Sequence, residues 1–165
     1  MTALISGIKT TPVLVPFKRP PVTASGSVSE LPLVLLDLET DAGLIGRAYL
    51  FVFQKSMLKP TMGCVAAIEE LIQGMSADPE QVDPLLRRRL RLLDIHGILG
   101  QALSGVDMAL WDIRAKSEGL SLAAVLGKQR DYLQAYNSCG LWLGKDDPEK
   151  LADQAQELLA EGGFS

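Results

Sequence analysis

Ile98-Leu-Gly-Gln-Ala-Leu-Ser-Gly-Val-Asp-Met-Ala-Leu-Trp-Asp-Ile-Arg-Ala-Lys116 is the stretch on which the reading of this sequence turns. Leu99, Ala102, Leu103, Val106, Ala109, Leu110 and Ile113 recur at three- and four-residue steps, the spacing of one helix face. Gly105 lies inside that face, although glycine costs about 1 kcal/mol of helix propensity relative to alanine. Its position therefore predicts close packing against another element. Asp107, Trp111 and Asp112 interrupt an apolar surface that runs well round the helix. A helix with this pattern is central, with neighbours on more than one side. Taken alone, it reads as a packed core helix.

Composition sets the outer bounds. At 165 residues the chain suffices for one domain, or for a small domain and part of another. A hydrophobic content of 47% against 22% charged is too apolar for disorder. The net charge of −4 and a pI near 5.0 argue against a nucleic-acid partner. Arg87-Arg88-Arg89 and Arg91 form the basic run, but they alternate with Leu85, Leu86, Leu90 and Leu93 at helical spacing. They read as a solvated helix face, not a phosphate clamp. Cys64 and Cys139 are distant and form no Cys-x-x-Cys pair, so neither a disulfide framework nor a zinc site is expected. No apolar run is long enough to cross a bilayer and no charged-then-apolar leader follows Met1, which makes a cytoplasmic protein without a membrane partner the expectation.

In chain order, Ala3 to Phe17 reads as an extended segment in which Val13, Val15 and Phe17 alternate. Pro12 and Pro16 restrict it to an edge or bent strand. Lys18 to Pro32 lacks periodicity and reads as a long loop. Leu33 to Thr40 is a strand with Val34, Leu36 and Leu38 on one face; Asp41-Ala42-Gly43 turns it into a partner strand, Leu44 to Phe51. Gly46 marks a bulge or a close backbone approach. Helices follow. Leu58 to Met75 carries Val65, Ile68, Leu71 and Ile72 on one face, and Asp83-Pro84 reads as an N-cap and first residue opening Leu85 to Leu93. The Ile98–Lys116 helix is expected to end near Glu118-Gly119, followed by a helical turn over Leu120 to Leu126. From Asp131 the style changes: a strand at Tyr132 to Asn137, a loop at Gly140 to Lys145, then a helix opened by Asp147-Pro148-Glu149 and closed by Gly162-Gly163. Strand, loop, capped helix and glycine stop make the first half of a βαβ unit.

The motif Ala102-x-x-Gly105-x-Asp107-Met108-Ala109-x-Trp111-Asp112 resembles the last helix of the N-terminal domain in the mandelate racemase/muconate-lactonizing branch of the enolase superfamily. Pro32-Leu33-Val34-Leu35-Leu36-Asp37-Leu38, Gly46-x-Ala48-Tyr49-Leu50-Phe51 and Ala135-Tyr136-x-Ser138 look like the mandelate racemase group as well. The resemblance implies an α+β fold: an N-terminal capping domain over residues 1–130, with a three-stranded antiparallel sheet and a helical bundle. Residues 131–165 would be the first βα unit of an incomplete (β/α)8 barrel. It also implies the family's chemistry, abstraction of the proton α to a carboxylate with Mg²⁺ stabilising the enediolate.

The sequence departs from the family where that chemistry is done. The family's Lys-x-Lys base motif follows a Gly-Phe like Gly163-Phe164, and no Lys-x-Lys occurs in these residues. The metal carboxylates and the opposing His base lie on later strands, and His96 matches no catalytic position. The expectation is therefore no catalytic residue, no metal ligand and no bound cofactor in this chain, with Mg²⁺ belonging to the complete enzyme. The resemblance carries over only substrate-facing residues. Ser138 matches a serine at the end of barrel strand one, where barrel active sites gather; capping of local backbone is its plain alternative. Pro21 to Ser29 resembles the mobile loop that closes over substrate, with Thr23 and Val28 lining it. Phe53 would add to that lid, with core packing as its alternative. Ser56-x-x-Lys59 has a penicillin-binding spacing but none of the accompanying motifs.

Two readings result. One is the N-terminal, substrate-specificity part of a racemase or hydroxy- or sugar-acid dehydratase, inert by itself. Its partner in the complete enzyme would be a small carboxylate substrate. Family enzymes are homo-oligomers, and this piece is expected to self-associate through its open strand edge. The other is a stand-alone, non-catalytic α+β module from a truncated gene.

Overall fold

In the computed structural model, residues 3–18, 20–23, 26–93, 95–137 and 148–162 are described. Their elements run β1 (Ile5–Pro16), β2 (Val22–Thr23), β3 (Gly26–Ser27), β4 (Glu30–Thr40) and β5 (Ile45–Phe51), then α1 (Leu58–Ile72), α2 (Pro79–Arg89), α3 (Gly97–Glu118), α4 (Leu122–Val125) and α5 (Pro148–Ala160). One compact unit comprises residues 1–14 and 32–129; the other comprises 15–31 and 130–165.

The first unit is a three-stranded antiparallel sheet in the order β1-β4-β5, covered by helices. The alternation along β4 decides which face is covered: Val34, Leu36 and Leu38 are at most 1% exposed, while Leu35 between them is exposed. Thr40 closes the hairpin, its Oγ1 donating to the Leu44 carbonyl at 2.9 Å, and Gly43 supplies the positive φ of 78° that the turn requires. The β4–β5 register runs without a bulge from Leu33↔Phe51 to Glu39↔Ile45. Gly46 is thus a close approach: a Cβ there would lie 2.0 Å from the Ala109 carbonyl oxygen of α3. Gly105 does the same for the other partner, since its missing Cβ leaves room for Leu50, whose Cδ2 would stand 2.9 Å away. The α3 face of Ala102, Leu103, Val106, Ala109, Leu110 and Ile113 is buried, as its spacing predicts. Gly119 caps the helix in the left-handed conformation at φ 65°. Helix α1 docks on β1 through Glu69, whose Oε1 accepts the Ile8 N–H at 2.8 Å.

Three expectations are corrected. The second helix starts at Pro79, not at Leu85: Asp78 accepts the Glu80 N–H at 3.0 Å, and Pro79 takes the first helical position. Asp83 instead pairs with Arg87 one turn on, at 2.8 Å. Pro84 is left inside the helix, where it removes one backbone bond. The region read as an unbroken loop, Lys18 to Pro32, holds the short β2–β3 pair, Val22↔Ser27 and Thr23↔Gly26. In the second unit, Tyr132 to Asn137 forms no strand, and Tyr132 and Tyr136 are 84% and 87% exposed. Strand propensity without a hydrogen-bonded neighbour does not make a strand. Helix α5 forms as expected, with Leu158 half-buried and Leu151 and Leu159 exposed.

Candidate functional site

Strand β5 leads to the candidate site, and α3 fixes its outer edge. Arg47 donates its backbone N–H to Asp112 Oδ2 at 2.8 Å; Lys116 Nζ donates to the Ile45 carbonyl at 2.6 Å; Gln101 Nε2 donates to the Phe51 carbonyl at 3.2 Å. These backbone groups sit on alternate residues and face away from β4. An edge strand presents such groups as a template for unwanted pairing, and here helix side chains cover them. The motif residues Gly105, Ala109 and Asp112 are accounted for by this joint between α3 and β5.

Beyond the joint the chain turns sharply. Val52 is buried and donates its N–H to the Pro32 carbonyl at 3.1 Å. Two residues later, the Gln54 N–H returns to the Val52 carbonyl at 2.6 Å, closing a γ-turn around Phe53. Phe53 has φ 59°, the left-handed region that disfavours a bulky residue. The residue is 69% exposed, and its ring lies 4.3 Å from the Phe51 ring, centroid to centroid, at 40°. Core packing, the plain alternative for Phe53, does not hold. The ring borders a cleft of about 530 Å³ walled by Met57, Ile98 and Gln101. A second cleft, of about 490 Å³, shares Gly97 and Gln101 and reaches Tyr49, Arg87 and His96.

The other residues singled out from sequence fall elsewhere. Thr23 and Val28 both lie in the second unit, where the Thr23 backbone pairs with Gly26 and the half-buried Val28 donates its N–H to the Pro21 carbonyl at 2.9 Å. Ser138 lies outside the described residues, as does Asp147, the residue expected to open the last helix. Sequence reasoning missed Gln101, which reaches from the apolar helix to the end of β5. A polar side chain between Leu99 and Ala102 was its available signal. The turn at Phe53 had none.

The charged cluster of the first unit joins α2 to α3. Burial pushes the Asp107 carboxyl above the usual carboxylate range, and the neighbouring Asp83 charge adds to the rise. Arg87 and a hydrogen bond from Trp111 offset part of it. Arg87 is itself raised, chiefly by its hydrogen bond to Asp83. Among the described residues, no three His, Cys, Asp or Glu side chains converge where a metal ion could be held. Mg²⁺ needs near-octahedral oxygen ligation, so the described residues do not fit it. Among them also, no helix is long and apolar enough to cross a membrane.

Residues 5–127 match the family described as mandelate racemase / muconate lactonizing enzyme, N-terminal domain. The L-talarate/galactarate dehydratase of Salmonella typhimurium is 30% identical over 120 residues, 70% of this chain and 29% of that protein. The D-galactonate dehydratase of Variovorax paradoxus is 31% identical over 134 residues, 79% of this chain and 33% of that protein. The chain thus spans about a third of the length of the curated relatives it matches. A crystal structure of an enolase from the alpha proteobacterium bal199 with bound Mg superposes with a TM-score of 0.87 at 33% identity, covering 98% of this chain and 44% of that one. An enolase from Bradyrhizobium, complexed with magnesium and mandelic acid, gives a TM-score of 0.73 at 36% identity, covering 77% and 35%.

Proposed function

Because the chain belongs to the mandelate racemase/muconate lactonizing enzyme family through that family's N-terminal domain, we propose that it is the capping, substrate-specificity part of a family enzyme. That enzyme abstracts the proton α to a carboxylate, as a racemase or as a hydroxy- or sugar-acid dehydratase, in the cytoplasm. The observation that carries the reading is the match over residues 5–127, three-quarters of the chain, on a fold that also superposes on Mg-bound enolases above 30% identity. Residues 1–130 form the cap in this reading, and residues 131–165 begin the barrel.

The α-proton of a carboxylate is weakly acidic, and removing it gathers charge on the carboxylate oxygens; Mg²⁺ supplies the stabilisation when bound in such an enzyme. This chain's part is to position and enclose the substrate. Thr23 and Val28 line the closing loop, Phe53 presents an aromatic wall, and Ser138 contacts the substrate at the barrel mouth. Water exclusion by such a cap strengthens every electrostatic interaction beneath it. The chain alone is inactive and binds Mg²⁺ weakly in this reading, and the complete enzyme is a homo-oligomer.

The test is deuterium incorporation at the α-carbon of mandelate and galactarate with Mg²⁺, followed by NMR. The isolated chain is expected to give none; exchange that survives repurification and is lost on mutating this chain overturns that part. A chimera in which this chain replaces the matching domain of the Bradyrhizobium enolase is expected to exchange. A folded, Mg²⁺-binding chimera that exchanges no substrate counts against the capping role.

A further inference from the structure

Helix α1 does for β1 what α3 does for β5. The residues after α1 first run antiparallel beside the strand, with Leu4 bridged to Ser76. The Ala77 N–H donates to the Ala3 carbonyl at 2.9 Å, the Ile5 N–H to the Met75 carbonyl at 2.8 Å, and the Gly74 N–H to the Ile5 carbonyl at 2.8 Å. Further along β1 the facing chain is helical, and two side chains one turn apart continue the ladder. Gln73 Nε2 donates to the Ser6 carbonyl at 3.1 Å, and Glu69 Oε1 accepts the Ile8 N–H at 2.8 Å. These are the donor and the acceptor that a neighbouring strand would supply. Gly7 lies between the two rungs, and a Cβ on it would stand 3.2 Å from Glu69 Oε1. Pro12, an even number of residues beyond Ile8, falls on the same edge and has no N–H to offer. An added strand would therefore engage Ser6, Gly7 and Ile8, the stretch that the two side chains hold.

That stretch is complementary to itself. Laid antiparallel across a two-fold axis at Gly7, the Ser6 carbonyl of one copy meets the Ile8 N–H of the other, and the reverse. The two glycines then face each other at the position where paired strands come closest, with no side chains to obstruct it. We propose that Glu69 and Gln73 are an edge guard. They occupy the two backbone groups through which β1 would pair with β1 of a second copy, and so keep the sheet of the first unit from adding strands. With Asp112, Lys116 and Gln101 on β5, helix side chains then close both edges of that sheet. The proposal rests on hydrogen bonds of the first unit alone and is independent of the enzyme reading.

In the full chain, Glu69→Ala together with Gln73→Ala frees both groups, while Glu69→Gln alone keeps an oxygen for the Ile8 N–H. The double variant is expected to self-associate about tenfold more tightly than wild type in sedimentation equilibrium, the gain from two backbone bonds across the axis. Isotope-mixed NMR samples of it are expected to place Gly7 of one copy against Gly7 of the other. A double variant that keeps slow amide exchange over Ala102–Ile113 but associates as wild type does, or associates with no contact at Gly7, overturns the proposal. Glu69→Gln is expected to behave as wild type. Association as tight as in the double variant would mean that carboxylate repulsion, not the occupied N–H, keeps copies apart, and overturns it too. Should the double variant fail to fold, the wild-type chain decides. Its Ile8 amide is expected to exchange slowly, at a rate unchanged by dilution. Fast exchange, or protection that is lost on dilution, removes the guard.

Discussion

The Asp112 carboxylate accepts the backbone N–H of Arg47 at 2.8 Å, and Lys116 Nζ reaches the same oxygen at 2.6 Å while also holding the Ile45 carbonyl. One helix turn thus supplies an acceptor and a donor to the strand edge that would otherwise face solvent. The pair fixes α3 along β5 at a single register, which in turn sets where Gly46 meets Ala109 and where Gly105 meets Leu50.

Asp112→Ala should destabilise the chain by about 1 kcal/mol, because the bond is charge-assisted but the site is partly exposed and screened. Asp112→Asn keeps an acceptor for the Arg47 N–H and should lose about half as much. Equal losses in urea unfolding would mean that the carboxylate serves Lys116 alone.

Gly46→Ala should cost at least about 3 kcal/mol, since the added methyl would stand 2.0 Å from backbone that cannot give way without moving α3. Gly105→Ala meets only the flexible end of Leu50, and its gain of about 1 kcal/mol in helix propensity offsets much of the crowding. A Gly105→Ala loss as large as that of Gly46→Ala in thermal unfolding would refute this ordering.

Thr61→Val should raise stability by about 1 kcal/mol. Thr61 is fully buried in α1 and its Oγ1 has no hydrogen-bond partner, whereas valine keeps the branched shape and removes the unsatisfied group. A lower melting temperature for the variant would show that the hydroxyl is satisfied in solution.

Asp107 predicts an unusual pH dependence. Its folded pKa is raised, first by burial and then by Asp83, so the folded state holds the proton more tightly than the unfolded chain does. The stability associated with this group is therefore fully present below the unfolded value of about 3.9 and is lost as pH rises through the folded value. Asp107→Asn removes that dependence, leaving Asp83, Arg87 and Trp111 around a neutral side chain. Its melting temperature relative to wild type should rise between pH 3 and pH 7. A gap that is flat or falls across this range contradicts the assignment.

Amide hydrogen exchange should separate the two kinds of segment. Ala102–Ile113 lies in a buried helix and should exchange slowly, while Tyr132–Asn137 has no strand ladder and should exchange fast. Equal protection in a proven monomer would require a hydrogen-bonded partner for Tyr132–Asn137.

The α3 helix, the β4–β5 hairpin and the glycine contacts were legible from the sequence because their signals are local and periodic. Val34, Leu36 and Leu38 declare their face by alternation, Ala102 to Ile113 by helical spacing, and Gly46 and Gly105 by standing where a side chain would ordinarily be favoured. The sequence reading opened the second helix at Asp83-Pro84, and only the three-dimensional cap, Asp78 to the Glu80 N–H, placed the start one turn and more earlier. Tyr132 to Asn137 shows the converse: strand-like residues remain irregular without a neighbour to complete the ladder. Phe53 lies beyond sequence reasoning, because its positive φ follows from where Val52 and Gln54 are anchored and not from any preference of phenylalanine. Periodicity determined which faces are apolar; the distances between elements decided what each face and each turn could meet, since those distances depend on the whole packed core.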